Sequence, residues 1–114
     1  MKTMIIVADG LEECEALMTY DLLYRAGIKV DLVGSTKQIR SSHNVIFETH
    51  RLLDEIDPEE YECLVLPGGM PGTLNLEKDQ RVQELRHTWR LQMKSKLAKN
   101  DGRWQFVESK ASTY

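Results

Sequence analysis

Met4-Ile5-Ile6-Val7-Ala8 is an unbroken apolar run that stops at Asp9-Gly10. It is too short for a helix, and its lack of alternation requires burial on both faces. A strand inside a parallel sheet has that property. Asp9 with Glu12 three residues later resembles a capping box, which predicts a helix running to Arg25-Ala26. Gly27 is placed to end that helix in the left-handed conformation. Ile28-Lys29-Val30-Asp31-Leu32 then alternates apolar and polar, as a less deeply buried strand does. Strand, helix and strand over about thirty residues make a βαβ unit with a right-handed crossover.

The rest of the chain extends this pattern. Gln38-Ile39-Arg40 and Val45-Ile46-Phe47 flank Ser41-Ser42-His43-Asn44, and Asn tolerates a left-handed turn position, so a small β excursion is expected. Leu52 to Ile56 reads as a short helical turn closed by Asp57-Pro58. Cys63-Leu64-Val65-Leu66 reads as another short apolar strand, stopped by Pro67-Gly68-Gly69. From about Leu76 a helix is expected, with Val82, Leu85, Trp89, Met93 and Leu97 along one face. Asn100-Asp101-Gly102 signals a turn, and Trp104 to Val107 one further short strand.

Charge is unevenly spread. Residues 1–80 carry 7 Lys+Arg against 15 Asp+Glu, and residues 81–114 carry 8 against 3. An acidic body with a basic tail, at a formal net charge of −3, argues against a dedicated nucleic-acid binder. The tail reads as a solvated helix packed on the sheet, or as a basic partner-binding helix. The two cysteines, Cys14 and Cys63, form no disulfide or zinc pattern, which suits a reducing compartment. Asp9 interrupts the first apolar run too soon for a signal peptide, and no stretch approaches the roughly 18 apolar residues of a membrane span. A cytoplasmic protein without membrane contact is expected.

In open α/β sheets, ligands bind outside the carboxyl ends of the strands. Two loops should emerge there. Asp9 to Glu15 holds four acids in seven residues. That composition opposes a phosphate cradle, and no glycine-rich nucleotide motif is present. Its acids serve equally well as helix support, Asp9 and Glu12 as caps and Glu13 and Glu15 at the positive helix end. The second loop, Pro67 to Gly72, is glycine-rich. It is either a plain strand-to-helix turn or a place where exposed N–H groups meet an oxyanion. Cys14 lies near a helix N-terminus, but Glu12, Glu13 and Glu15 oppose a negative sulfur beside them. Cys63 reads as a small core residue. His43, His50 and His87 have no partner evident in sequence and read as surface residues. Met70 reads as packing.

VADGLEECEAL, DLLYRAGIKVDLV, SSHNVIF, LLDEID and YECLVLPGGMPGTLNL occur in the order and spacing of the ThiJ/PfpI family, and the chain resembles it over about residues 1–85. The acidic EExE loop and the VLPGG turn are the most specific stretches. The resemblance implies a flavodoxin-like (Rossmann-like) α/β fold, a parallel sheet with helices on both faces, and commonly a homodimer. It implies a cysteine on a strand-to-helix elbow paired with a protonated Glu, which Glu15 matches, and an oxyanion hole built partly from Gly68 and Gly69. Family activities span deglycation, glyoxalase-type hydration, amide hydrolysis and chaperone action on small carbonyl or glycated substrates. No metal or organic cofactor is implied.

The tail, residues 86–114, departs from that pattern. RHTWRLQMKSKLAKNDGRWQFVESKASTY has no AxCAxP-like elbow, and no cysteine follows Cys63. A frameshifted, spliced or decayed reading frame accounts for this, and so does a divergent short protein. The expectation is an incomplete α/β domain related to cysteine-dependent deglycases and hydrolases and inactive as this chain. The alternative is a non-enzymatic binding or chaperone-like module that keeps a cleft between Glu15 and the PGG turn.

Overall fold

The computed structural model describes residues 2–99, with the backbone alone over 92–99. β1 spans Lys2–Val7, α1 Glu13–Arg25 and β2 Lys29–Gly34. A hairpin of β3 (Gln38–Arg40) and β4 (Ile46–Glu48) follows, then β5 (Arg51–Leu52), 3-10 turns at Leu53–Glu55 and Pro58–Glu60, and β6 (Cys63–Val65). Two helices close the described chain, α2 (Gly72–Lys78) and α3 (Gln80–Lys99).

The main sheet is parallel, with strand order β5-β2-β1-β6. β1 pairs with β2 from Lys2 opposite Lys29 to Val7 opposite Gly34, and with β6 from Thr3 opposite Cys63 to Ile5 opposite Val65. This central position explains the unbroken apolar run. Met4 and Ile6 point into a core shared with Tyr61, Leu64, Val82 and Trp89, under α3. Ile5 and Val7 point the other way, to Leu11, Ala16, Leu32 and Ile39, under α1 and the hairpin. Each of these fully buried aliphatic side chains contributes about 1.5–3 kcal/mol. Helices therefore cover both faces, as expected. Trp89 anchors α3: its ring is fully buried and its Nε1–H donates to the Tyr61 carbonyl at 3.3 Å. The Tyr61 hydroxyl donates to Asp31 at 2.7 Å, and burial pushes its ionisation up, with the Asp31 carboxylate adding to the effect.

Gly27 ends α1 at φ 80°, and Asn44 takes φ 69° in the hairpin turn. Three expectations need correction. The cap of α1 is Glu12, which accepts from the Cys14 N–H at 3.0 Å; Asp9 instead accepts from the Arg40 N–H at 2.9 Å, so there is no capping box. The helix expected from Leu76 starts at Gly72 and is split at Asp79, which takes an extended conformation between α2 and α3. Met70 is 43% exposed rather than packed. The expected face positions Met93 and Leu97, the turn at Asn100 to Gly102 and the strand at Trp104 to Val107 lie outside the described side chains and residues. α3 continues unbroken through Leu85, where the family resemblance was expected to stop.

Candidate functional site

β1 and β6 are parallel neighbours, so the loops that follow them leave the sheet at the same edge. There they interlock backbone to backbone. The Glu12 N–H donates to the Gly68 carbonyl at 2.8 Å, and the Gly72 N–H donates to the Gly10 carbonyl at 3.0 Å. The Asn75 side-chain amide donates to the Asp9 carbonyl at 2.6 Å. A Cβ on Gly69, which has φ 104°, would lie 2.3 Å from the Glu12 nitrogen, and one on Gly72 would lie 2.5 Å from the Leu11 Cα. Gly69 and Gly72 are thus required by close approach to the acid loop, in addition to the turn itself.

The hairpin closes the other side of the acid loop. The Gly10 N–H donates to the Arg40 carbonyl and the Ser42 N–H to the Leu11 carbonyl, both at 2.8 Å. His43 Nδ1 lies 2.8 Å from a Glu13 oxygen. Glu13 has a carboxyl held below the ordinary range by a hydrogen bond at its own backbone and by His43 and Ser41, with burial acting against them. His50 also has a partner, since its Nδ1 accepts from the Leu32 N–H at 2.9 Å and its ring stacks on Tyr20. Both histidines are on the surface, as expected, but neither is unattached.

Gly68 and Gly69 are buried, and among the described residues neither N–H has a hydrogen-bond acceptor. Buried backbone donors are rarely left unpaired. Glu15, one turn beyond Glu12 on α1, is half-buried, and among the described residues its carboxylate has no hydrogen bond or ion pair. Free donors and a free carboxylate stand at one edge of the sheet. That pairing suits a ligand whose oxygen takes the amides and whose neighbouring polar atom meets the acid.

The cysteines stand apart from it. Cys63 opens β6, whereas Gly68 lies beyond the other end of that strand, with four residues between them. Burial pushes the Cys63 thiol up, against a weaker opposing effect of Thr3. Cys14 is exposed on the second residue of α1. Donor atoms of Glu12, Glu13 and His43 come within 4.8 Å of one another. However, one Glu12 oxygen is engaged by Cys14 N–H and one Glu13 oxygen by His43, the other Glu13 oxygen being buried without a partner among the described residues, and the positive end of α1 disfavours a cation. An open groove lined by Lys2, Tyr24 and residues 27–31 lies at the opposite edge of the sheet, away from both loops. Among the described residues no helix is long and apolar enough to cross a membrane.

Sequence reading singled out Glu15, Gly68 and Gly69 as candidates and passed over Asn75, whose partner Asp9 is far away in the chain. Comparison with known proteins adds an independent line. Residues 1–103 match the model of the DJ-1/PfpI family, past the Leu85 region. Protein dj-1beta of Drosophila melanogaster is 31% identical over 84 residues, 72% of this chain and 45% of that protein. A deglycase of Thermococcus kodakarensis is 33% identical over 70 residues, 60% of this chain and 42% of that protein. The structure of oxidized Toxoplasma gondii DJ-1 superposes with a TM-score of 0.75 at 31% identity, covering 80% of this chain and 50% of that one. The chain spans half or less of the length of each of these three relatives.

Proposed function

This chain belongs to the DJ-1/PfpI family, and from that premise we propose that it carries the acid and oxyanion part of a deglycase-related site, Glu15 with the Gly68 and Gly69 amides, while neither of its cysteines is fitted to be the nucleophile. The observation that carries this reading is the interlocked seam, which leaves two buried N–H groups free at the end of the sheet where α1 begins, one turn before Glu15. When a thiolate attacks a carbonyl carbon, negative charge builds on the oxygen, and each well-placed N–H lowers that barrier by about 2.7–4 kcal/mol. The attack itself needs a thiolate within reach. Cys63 sits at the wrong end of β6 with a thiol biased toward its neutral form, and Cys14 projects into solvent among carboxylates. The reading needs neither metal nor organic cofactor.

The second reading is a binding module, in which the same amides and Glu15 hold a small carbonyl or glycated ligand without turning it over. Self-association, expected from the family resemblance, belongs to this proposal too, and its surface is argued in the Discussion.

The test is turnover by the purified chain with methylglyoxal-type substrates. Little or no turnover is expected, and Cys14→Ser and Cys63→Ser should leave that residual rate unchanged. Robust turnover abolished by either substitution would make that cysteine the nucleophile and overturn the proposal.

A further inference from the structure

We propose that Asn75 is a positioning residue for the Gly68–Gly69 turn, an inference that rests on the oxyanion reading above. Three hydrogen bonds cross the seam between the acid loop and the turn with its following helix. Two are backbone to backbone, Glu12 to Gly68 and Gly72 to Gly10, and persist whatever the side chains are. The third, from the Asn75 amide to the Asp9 carbonyl at 2.6 Å, is set by a side chain.

Its place gives it leverage. The Thr73 N–H donates to the Gly69 carbonyl and the Asn75 N–H to the Pro71 carbonyl, so the turn and the start of α2 move as one piece. The Thr73 hydroxyl adds a second bond to the Gly69 carbonyl. Asp9 is fixed independently, because its carboxylate accepts from the Arg40 N–H and the adjacent Gly10 N–H donates back to the Arg40 carbonyl. Asn75 therefore ties a rigid turn-and-helix piece to a fixed post. Without it, the two backbone bonds from Glu12 to Gly68 and from Gly72 to Gly10 remain as a hinge line about which the piece can rock, changing the direction of the free N–H groups. A displacement of about 1 Å is enough to spoil alignment at such a site.

The experiment is an acetate titration of the isotope-labelled full chain, followed at the Gly68 and Gly69 amides by NMR. In the unmodified chain both amides should shift to saturation. In Asn75→Ala, acetate affinity should fall about fivefold, the effect of losing one hydrogen bond, while the fold, checked by the rest of the amide spectrum, is retained. Asn75→Gln, which keeps a donor, should recover part of that affinity. A purely structural role would lower the melting temperature without weakening acetate in the folded protein. Retained affinity in Asn75→Ala would overturn the inference alone. Absence of any acetate response in the unmodified chain would sink the oxyanion reading and this inference with it. Failure of Asn75→Ala to fold would make Asn75 structural and also overturn the proposal.

Discussion

Gly69 and Gly27 both sit at positive φ, 104° and 80°, but for different reasons. A Cβ at Gly69 collides with the Glu12 nitrogen at 2.3 Å, whereas a Cβ at Gly27 meets nothing within 4 Å. Gly27→Ala should therefore cost only the left-handed backbone preference, about 1 kcal/mol. Gly69→Ala adds a clash with backbone that cannot move aside, and should cost at least about 3 kcal/mol. Urea midpoints of the two variants measure this; equal losses would mean that the two loops are not in tight contact. The glycine turn was legible in sequence as a strand-to-helix turn or an oxyanion site, but its close approach to Glu12 was not, because Glu12 lies on a distant loop. Asp9 was misread for a related reason. Its spacing to Glu12 fits a local cap, but the Arg40 N–H, brought in by the hairpin, competes for the same carboxylate. His50 likewise finds its partner 18 residues away, on β2. Charge and spacing along the chain report local partners, and these three residues have distant ones.

At the scale of elements, the strands and α1 were legible because apolar run length and alternation encode burial directly. The division between α2 and α3 was not, since the apolar spacing runs on across it. Asp79 makes the division. Its carboxylate accepts from the Arg81 N–H at 2.9 Å, capping α3, and pairs with the Arg81 guanidinium at 3.0 Å. β5, with two residues, is too short to leave a periodic signal. Asp79→Ala should cost about 1 kcal/mol as a lost cap, read as a lower thermal midpoint at neutral pH. The effect has a defined pH course. The Arg81 side chain, followed by backbone hydrogen bonds, holds the Asp79 carboxyl below its ordinary range, with burial acting in the opposite direction. A depressed folded-state value means the stabilisation is fully present above the unfolded value, about 3.9, and is lost as pH falls through the folded value. The difference in stability between the parent chain and Asp79→Ala should therefore shrink on acidification through that window. A difference that stays constant from neutral pH to pH ~2 would show that the carboxylate charge contributes nothing to the cap.

At the scale of the molecule, two surfaces favour association with a second copy. Among the described residues, β6 pairs on one side only, with β1, so its other edge offers backbone donors and acceptors to a neighbour. The stronger surface is the outer face of α1. Met18 and Leu22, four residues apart, are 60% and 63% exposed, and Cys14 continues the line toward the N-terminus. Glu12, Glu13 and Glu15 stand at one end of that helix and Arg25 at the other. Two copies of α1 packed antiparallel about a two-fold axis would bury the apolar line against itself and bring each acidic end toward Arg25 of the other copy, which in the single chain pairs with Asp21 at 3.0 Å. Antiparallel packing also opposes the two helix dipoles favourably. The edge of β6 has no such charge complement, so α1 is the expected contact. Sedimentation should show a concentration-dependent dimer. Met18→Asp with Leu22→Asp should convert it to monomer and leave the thermal transition cooperative, because neither side chain belongs to the core. Raised salt should weaken the dimer by screening the end-to-end pairs while leaving the apolar contact intact. A chain that stays monomeric across the concentration range and melts cooperatively at about 45–65 °C would refute the dimer. A dimer unaffected by the α1 substitutions would transfer the contact to the edge of β6.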